Sequence, residues 1–266
     1  MNLKEFQVFI FDLDGVIYLG NALIPGAKEV LEKLKKQKKT IFYLTNNATQ
    51  TRAKFAEKLQ KMGIPARPEQ IVTSAYTTAQ ILRKTYPKAS VYIIGEEGLI
   101  TELKEAGFRI VSEEDIETPV DLVVVGLDRD LTYRKLAKAL TAIVKGAKFI
   151  ATNVDPTLPT EQGLLPGAGC MVAALNAAGC GGPEMVIGKP NPCMIEFILE
   201  KSNQLPAASV IIGDRYSTDV QAGINAHIST ILVKTGTGSQ EIAKISPSGP
   251  KPDLILESVA NLLEYL

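Results

Sequence analysis

The chain has 266 residues, of which 45% are hydrophobic and 22% charged, and its 29 basic and 29 acidic side chains cancel. That is the composition of an ordinary globular protein with one large domain or two modest ones. A balanced charge points to neither nucleic acid nor an anionic membrane as partner, and no apolar run approaches the roughly 18 residues of a spanning helix.

Met1–Glu5 leads into only a short apolar strand, which is not a signal-peptide pattern. Val8–Phe11 is an unbroken apolar run, as expected of a strand buried on both faces of a parallel sheet. It stops at Asp12-Leu13-Asp14-Gly15, where strand alternation predicts both carboxylates on one side and Leu13 on the other. Two such carboxylates repel unless a proton or a cation lies between them. A helix follows Pro25-Gly26 with its apolar positions at Ala27, Val30, Leu31 and Leu34. Strand Thr40–Leu44 then ends in Thr45-Asn46-Asn47, and a second amphipathic helix, about Thr51 to Met62, stops at Gly63. Ile71–Ser74 leads into a third helix, about Ala75 to Thr85. This strand–helix alternation predicts an α/β fold with a parallel sheet and right-handed crossovers.

From Ser90 the pattern restarts with strands at Val91–Ile94, Leu122–Val125 and Lys148–Ala151, and helices at Leu99–Ala106 and Tyr133–Val144. Asn153–Gly169, rich in Pro and Gly, reads as an ordered functional loop, followed by helix Met171–Ala178. The first pattern then resumes. Met185–Ile187 ends in Gly188-Lys189-Pro190, Val210–Ile212 in Gly213-Asp214, and Thr230–Val233 in Lys234-Thr235-Gly236, with Leu254–Leu256 last. Helices are expected at about Met194–Ser202, Asp219–Ala226 and Val259–Leu266. The simplest architecture is a discontinuous core, residues 1–86 and 183–266, with an α/β cap inserted over 87–182.

Taken singly, Lys189 reads as a solvated lysine, Asp219 as a helix N-terminal acid, and Asp214 and Thr45 as caps. Parallel strands, however, carry all these strand ends to one edge of the sheet, where open α/β sheets bind ligands. Several carboxylates, a lysine and a hydroxyl there suit a divalent cation and a phosphate. Asp12 and Asp214 are hard oxygen ligands for Mg²⁺, while Thr45, Lys189 and backbone N–H groups after Asp12 can hold phosphoryl oxygens. One carboxylate attacking phosphorus gives an aspartyl-phosphate, and the other can protonate the leaving alkoxide and then deprotonate the attacking water.

DLDG at Asp12–Gly15, TNN at Thr45–Asn47, GKP at Gly188–Pro190 and GDRYSTD at Gly213–Asp219 resemble the four motifs of the haloacid dehalogenase (HAD)-type phosphohydrolases. IPGA at Ile24–Ala27, IGEEGL at Ile94–Leu99 and PGAG at Pro166–Gly169 extend the resemblance to the NagD/nitrophenyl-phosphatase branch over nearly the whole chain. It implies a Rossmann-like three-layer core with a smaller α/β cap inserted between the second and third motifs. It further implies that Asp12 is the nucleophile and a Mg²⁺ ligand, and that Asp14 is the general acid/base with its carbonyl on the metal. Thr45 and Asn46 match phosphate contacts, Lys189 the charge-neutralising lysine, Asp214 the side-chain metal ligand and Asp219 the acid that orients Lys189 or a metal-bound water. Asp14 favours phosphatase over dehalogenase chemistry, since true dehalogenases lack this acid and need no metal.

The same resemblance makes Asn153–Gly163 the cap's substrate loop, with Asp155, Leu158 and Glu161 as its candidate substrate residues. Leu158 stands where the pyridoxal-phosphate phosphatases of the branch have histidine, which argues against a vitamin phosphate. Asp155 and Glu161 either discourage an anionic leaving group or hold the loop's own amides. The expected activity is thus Mg²⁺-dependent, cytoplasmic hydrolysis of a small phosphate monoester of the nitrophenyl phosphate, phosphoglycolate, sugar phosphate or nucleoside monophosphate type, with a small phosphorylated metabolite as partner. Dimerisation through the cap is frequent in the branch. The alternatives are phosphotransfer between substrates and a non-catalytic phosphometabolite sensor, although no motif position has lost its reactive group. The absence of a GxGxxG turn after the first strand argues against a dinucleotide-binding protein. Cys170, Cys180 and Cys193 lack zinc-site spacing and read as free thiols, and His227, the only histidine, reads as a left-handed helix C-terminal residue.

Overall fold

The computed structural model describes residues 1–115, 118–160 and 163–266. The chain opens with β1 (Val8–Asp12), a small hairpin of β2 (Tyr18–Leu19) and β3 (Ala22–Leu23), α1 (Ala27–Lys36), β4 (Thr40–Thr45), α2 (Arg52–Lys61) and β5 (Ile71–Thr73). There follow α3 (Ser74–Thr85), β6 (Ser90–Ile94), α4 (Glu97–Glu105), β7 (Arg109–Ile110), β8 (Leu122–Val125), α5 (Tyr133–Val144) and β9 (Lys148–Ala151). Next come β10 (Thr157–Thr160), β11 (Gly163–Pro166), α6 (Ala168–Leu175) and β12 (Met185–Val186). The chain ends with α7 (Cys193–Ser202), β13 (Ser209–Gly213), α8 (Gln221–Asn225), β14 (Ser229–Val233), α9 (Gly238–Glu241), β15 (Leu254–Leu256) and a 3-10 turn at Val259–Glu264.

The chain divides into two compact units, Met1–Thr45 with Phe55–Val72 and Lys189–Leu266, and Asn46–Lys54 with Thr73–Gly188. The first holds a six-stranded parallel sheet, among the described residues, in the order β15-β14-β13-β1-β4-β5. Strand alternation gives it two apolar faces. Phe9, Phe11, Tyr43, Ile212 and Ile231 pack with Val30, Leu34, Leu59 and Leu262 on one face. On the other, Gly223 of α8 is pressed against Ile211 and Thr230, and Tyr216 and Val220 pack with Leu232. This is the three-layer α/β core expected, and all five residues of β1 are buried at its centre.

The second unit has its own parallel sheet, β12-β9-β8-β6-β7. Tyr92, Val123, Val125 and Phe149 face α5 and α6 on one side, while Val91, Leu122, Val124 and Ile150 face Ala75, Ala79 and Leu82 of α3 and Leu99 and Leu103 of α4 on the other. These packings move the boundary from the expected 87–182. Helix α3 buries its alanines on the second sheet and not on the first. Asn46–Lys54 joins the same unit because Arg52 bonds Glu102 at 2.7 Å and lies 3.7 Å over the Tyr76 ring, and because Gly98 N–H donates to the Thr49 carbonyl. Strand β12 likewise pairs with β9 (Met185 opposite Ile150), so the strand expected in the core sheet lies in the second sheet and the chain re-enters the core unit at Lys189.

Candidate active site

The site of the core unit is assembled from strand ends. Asp12 is the last residue of β1, Thr45 the last of β4, and Asp214 follows β13; all three are buried. Lys189 is 4% exposed and donates from Nζ to Asp12 Oδ1 and Asp219 Oδ1, both at 2.5 Å. The second oxygen of Asp219 accepts from the Arg215 N–H at 3.0 Å, so Asp219 holds the lysine and is itself held by the turn that follows Asp214. A single carboxylate oxygen from each of Asp12, Asp214 and Asp219 lies within 4.8 Å of the others. Burial would lower the Lys189 pKa, but the Asp12 and Asp219 carboxylates reverse this and keep it raised, so Lys189 is an ammonium.

The carboxylates are under the opposite stress. Burial pushes Asp12 upward against the pull of Lys189, and the Asp219 and Asp214 charges add to the rise. Burial, with Asp219 beside it, pushes Asp214 up to about 6 despite its bonds to Thr237. Three carboxylates around one ammonium form a donor set that a further positive charge would stabilise. Lys189 bonds Oδ1 of Asp12, and Thr237 bonds Oδ2 of Asp214 through its N–H at 2.7 Å and its hydroxyl at 2.9 Å. Hard oxygen donors of this kind fit Mg²⁺.

Two glycines shape that arrangement. A Cβ on Gly15 (φ +83°) would fall 2.4 Å from Asp214 Oδ2, and one on Gly236 (φ +60°) would fall 2.3 Å from it. The Asp214 carboxylate therefore lies against two bare backbone segments, and the Thr235 hydroxyl ties them together by donating to the Gly15 carbonyl at 2.6 Å. Thr235, Gly236 and Thr237 went unassigned in the sequence. The signal was present in the Gly/Thr-rich turn KTGTG that follows a core strand.

Asp14 departs from the expected geometry. The strand ends at Asp12 and the chain turns at once, with the Ile17 and Tyr18 N–H groups donating to the Leu13 carbonyl and the Gly15 N–H to the Tyr18 carbonyl. Asp14 is therefore not on the Asp12 side of a strand, and its carboxylate stands outside the Asp12–Asp214–Asp219 group. It is exposed at the turn, where the surrounding protein still raises its pKa by desolvation, opposed by Lys58, the Gly20 N–H and Arg215. Lys58 itself lies 3.7 Å over the Tyr18 ring.

In the second unit, Asn46 Nδ2 donates to Asp155 Oδ2 at 2.9 Å, and Asn153 Nδ2 donates to the same oxygen at 2.8 Å. Asp155 thus holds two side-chain amides, that of Asn153 in the loop and that of Asn46 outside it. Leu158 packs on the core of the second unit. The expected loop contains a two-stranded hairpin, with Leu158 opposite Leu165 and Thr160 opposite Gly163. Glu161 lies outside the described residues. His227 takes the left-handed conformation expected (φ +57°), and the His227 and Ile228 N–H groups close α8 on the Ile224 and Gly223 carbonyls. The three cysteines are free.

Residues 9–109 match the haloacid dehalogenase-like hydrolase family and residues 186–262 match a HAD-hydrolase-like family. An acid sugar phosphatase of Staphylococcus epidermidis is 40% identical over 239 residues, 90% of each protein. Among solved structures, a 4-nitrophenylphosphatase from Thermotoga maritima superposes with a TM-score of 0.91 at 33% identity, covering 99% of this chain and 98% of that one. A p-nitrophenyl phosphatase from Archaeoglobus fulgidus gives 0.90 at 32% identity, covering 98% and 99%. The chain belongs to the haloacid dehalogenase-like hydrolases and, within them, to the NagD-type phosphatases. It is a phosphoric monoester hydrolase of that family, as the motifs implied.

Proposed function

We propose that this protein is a Mg²⁺-dependent phosphatase of small phosphate monoesters that works through an aspartyl-phosphate at Asp12. The observation that carries this reading is the buried Asp12–Lys189–Asp219 chain beside Asp214, an ammonium shared by two carboxylates at 2.5 Å. Asp12, Asp214 and the Asp14 carbonyl would hold the cation, which when bound offsets the charge of the phosphoryl oxygens and of the carboxylates around them.

Lys189 fixes Asp12 by one oxygen, so the other is the one that attacks phosphorus. Thr45 and Lys189 hold phosphoryl oxygens, and Asn46, next in the chain to Thr45, donates to the same group. As the P–O bond to the leaving group breaks, the protonated Asp14 gives its proton to the departing alkoxide; its raised pKa supports that role. The resulting carboxylate then takes a proton from water, whose oxygen attacks the acyl-phosphate and restores Asp12. The second unit is the proposed cap domain, and its segment Asn153–Gly163 is the proposed source of leaving-group specificity.

Among esters, sugar phosphates are the best-supported class, because the Staphylococcus epidermidis relative is an acid sugar phosphatase. Phosphate release should be measured across sugar phosphates, phosphoglycolate, nucleoside monophosphates, pyridoxal phosphate and nitrophenyl phosphate, with Mg²⁺ and with EDTA. Mg²⁺-dependent release led by a sugar phosphate is expected. Release unaffected by EDTA would overturn the metal assignment, and a nucleotide or pyridoxal phosphate far ahead would overturn the substrate class.

A further inference from the structure

We infer that Asp155 is a positioning residue for the phosphate contact Asn46, a reading that rests on the proposed phosphatase site. Asp155 sits where three pieces of the second unit meet. Its Oδ2 accepts from Asn46 at 2.9 Å and from Asn153 at 2.8 Å. Its backbone carbonyl accepts the Gly169 N–H at 2.9 Å. A Cβ on Gly167 would fall 2.2 Å from that carbonyl oxygen and one on Gly169 3.0 Å, so the chain approaches it closely only because both residues are glycine. The backbone of Asp155 is thereby pinned at the base of the β10–β11 hairpin, and its carboxylate has little freedom.

Asn46 is held from its other end as well. Its Oδ1 would lie 2.7 Å from a Cβ on Gly188, so the amide oxygen rests against bare backbone there. An ionised carboxylate only accepts hydrogen bonds. Asp155 can therefore meet only the nitrogen of the Asn46 amide, and it sets which way that amide faces. Charge-assisted bonds of this kind are roughly twice as strong as neutral ones. Asn153 is set in the same way and is braced by the Thr152 hydroxyl, which donates to its Oδ1 at 2.9 Å. The loop expected to meet the leaving group is thus tied, through one oxygen atom, to a residue of the second motif. A change of loop sequence that displaced Asp155 would alter phosphate affinity without touching the phosphate.

The test compares wild type, Asp155→Ala, Asp155→Asn, Asn46→Ala and the Asp155→Ala/Asn46→Ala double variant. The readouts are kcat, KM for nitrophenyl phosphate, Ki for inorganic phosphate, and Tm. Asp155→Ala should raise KM and Ki about tenfold with kcat within about threefold, the size of a lost charge-assisted bond. Asp155→Asn, which keeps an acceptor, should recover most of that loss. The double variant should be no worse than Asn46→Ala alone, because the two act in series. Fully additive KM losses, an unchanged KM in Asp155→Ala, or a fall in kcat and Tm with KM unmoved would overturn the inference. Failure of the underlying reading looks different: Asn46→Ala would then bind phosphate like wild type, or Asp12→Asn would turn over normally.

Discussion

Each ionisable residue of the core site is set by its neighbours. Asp12 and Lys189 are buried together at 2.5 Å, and removing one partner of such a pair leaves an uncompensated charge, at a cost of about 3–5 kcal/mol. Lys189→Met is therefore expected to destabilise the protein as well as inactivate it, which thermal denaturation beside a phosphate-release assay would show. Asp12→Asn keeps shape, removes the proposed nucleophile and leaves Lys189 its bond to Asp219, so turnover should fall by about 10³-fold or more with a smaller change in Tm than in Lys189→Met. For Asp14→Asn the loss should be about 10²–10⁴-fold on an alkyl phosphate and smaller on nitrophenyl phosphate, whose leaving group needs no proton. Comparing kcat for the two esters checks this, and equal losses would contradict the acid role. Asp12, Asp214 and Lys189 were legible in the sequence because motif order and strand ends specify them. The separation of Asp14 from the acidic group was not, since it depends on where β1 stops pairing, and alternation cannot see the turn that begins at Leu13.

Among the elements, the glycine-rich turns after β1 and β14 do as much for the site as the strands do. Gly236→Ala would place a methyl 2.3 Å from Asp214 Oδ2 at a left-handed φ. Backbone strain alone should cost roughly 1–2 kcal/mol, and displacement of Asp214 should weaken Mg²⁺ activation, visible as a rise in the Mg²⁺ concentration for half-maximal rate. His227→Gly tests the opposite case. It relieves a left-handed non-glycine residue at the end of α8 and should raise stability by roughly 1 kcal/mol or less, with kcat unchanged, in a denaturant titration. The helix end was readable from His227 because a local turn decides it. Strand β12 was misplaced for a non-local reason. Met185-Val186 is an apolar pair that suits either sheet, and only its pairing with Ile150 and Ala151 decides which.

At the scale of the whole molecule, apolar periodicity predicts two α/β units correctly but misses where the chain passes between them. The face of α3 formed by Ala75, Ala79 and Leu82 would suit either sheet, and the Arg52–Glu102 bond that draws Asn46–Lys54 into the second unit joins residues 50 positions apart. Two of the four crossings, at Thr45–Asn46 and Gly188–Lys189, fall at motif residues. Mg²⁺ bound to the folded acidic site should also stabilise the chain, by about 2.7 kcal/mol at a hundredfold excess over Kd. A dose-dependent rise in Tm with Mg²⁺, abolished in Asp214→Asn, is expected. The central claim is that Asp12 carries the phosphoryl group between the two half-reactions. It is tested most directly by mixing Asp14→Asn protein and Mg²⁺ with nitrophenyl phosphate, quenching in acid, and mapping phosphoryl adducts by peptide mass spectrometry. A phosphoryl group on Asp12 that is absent from the Asp12→Asn protein is the predicted result. Nitrophenol release with no adduct at Asp12, or an adduct on another residue, would contradict the account.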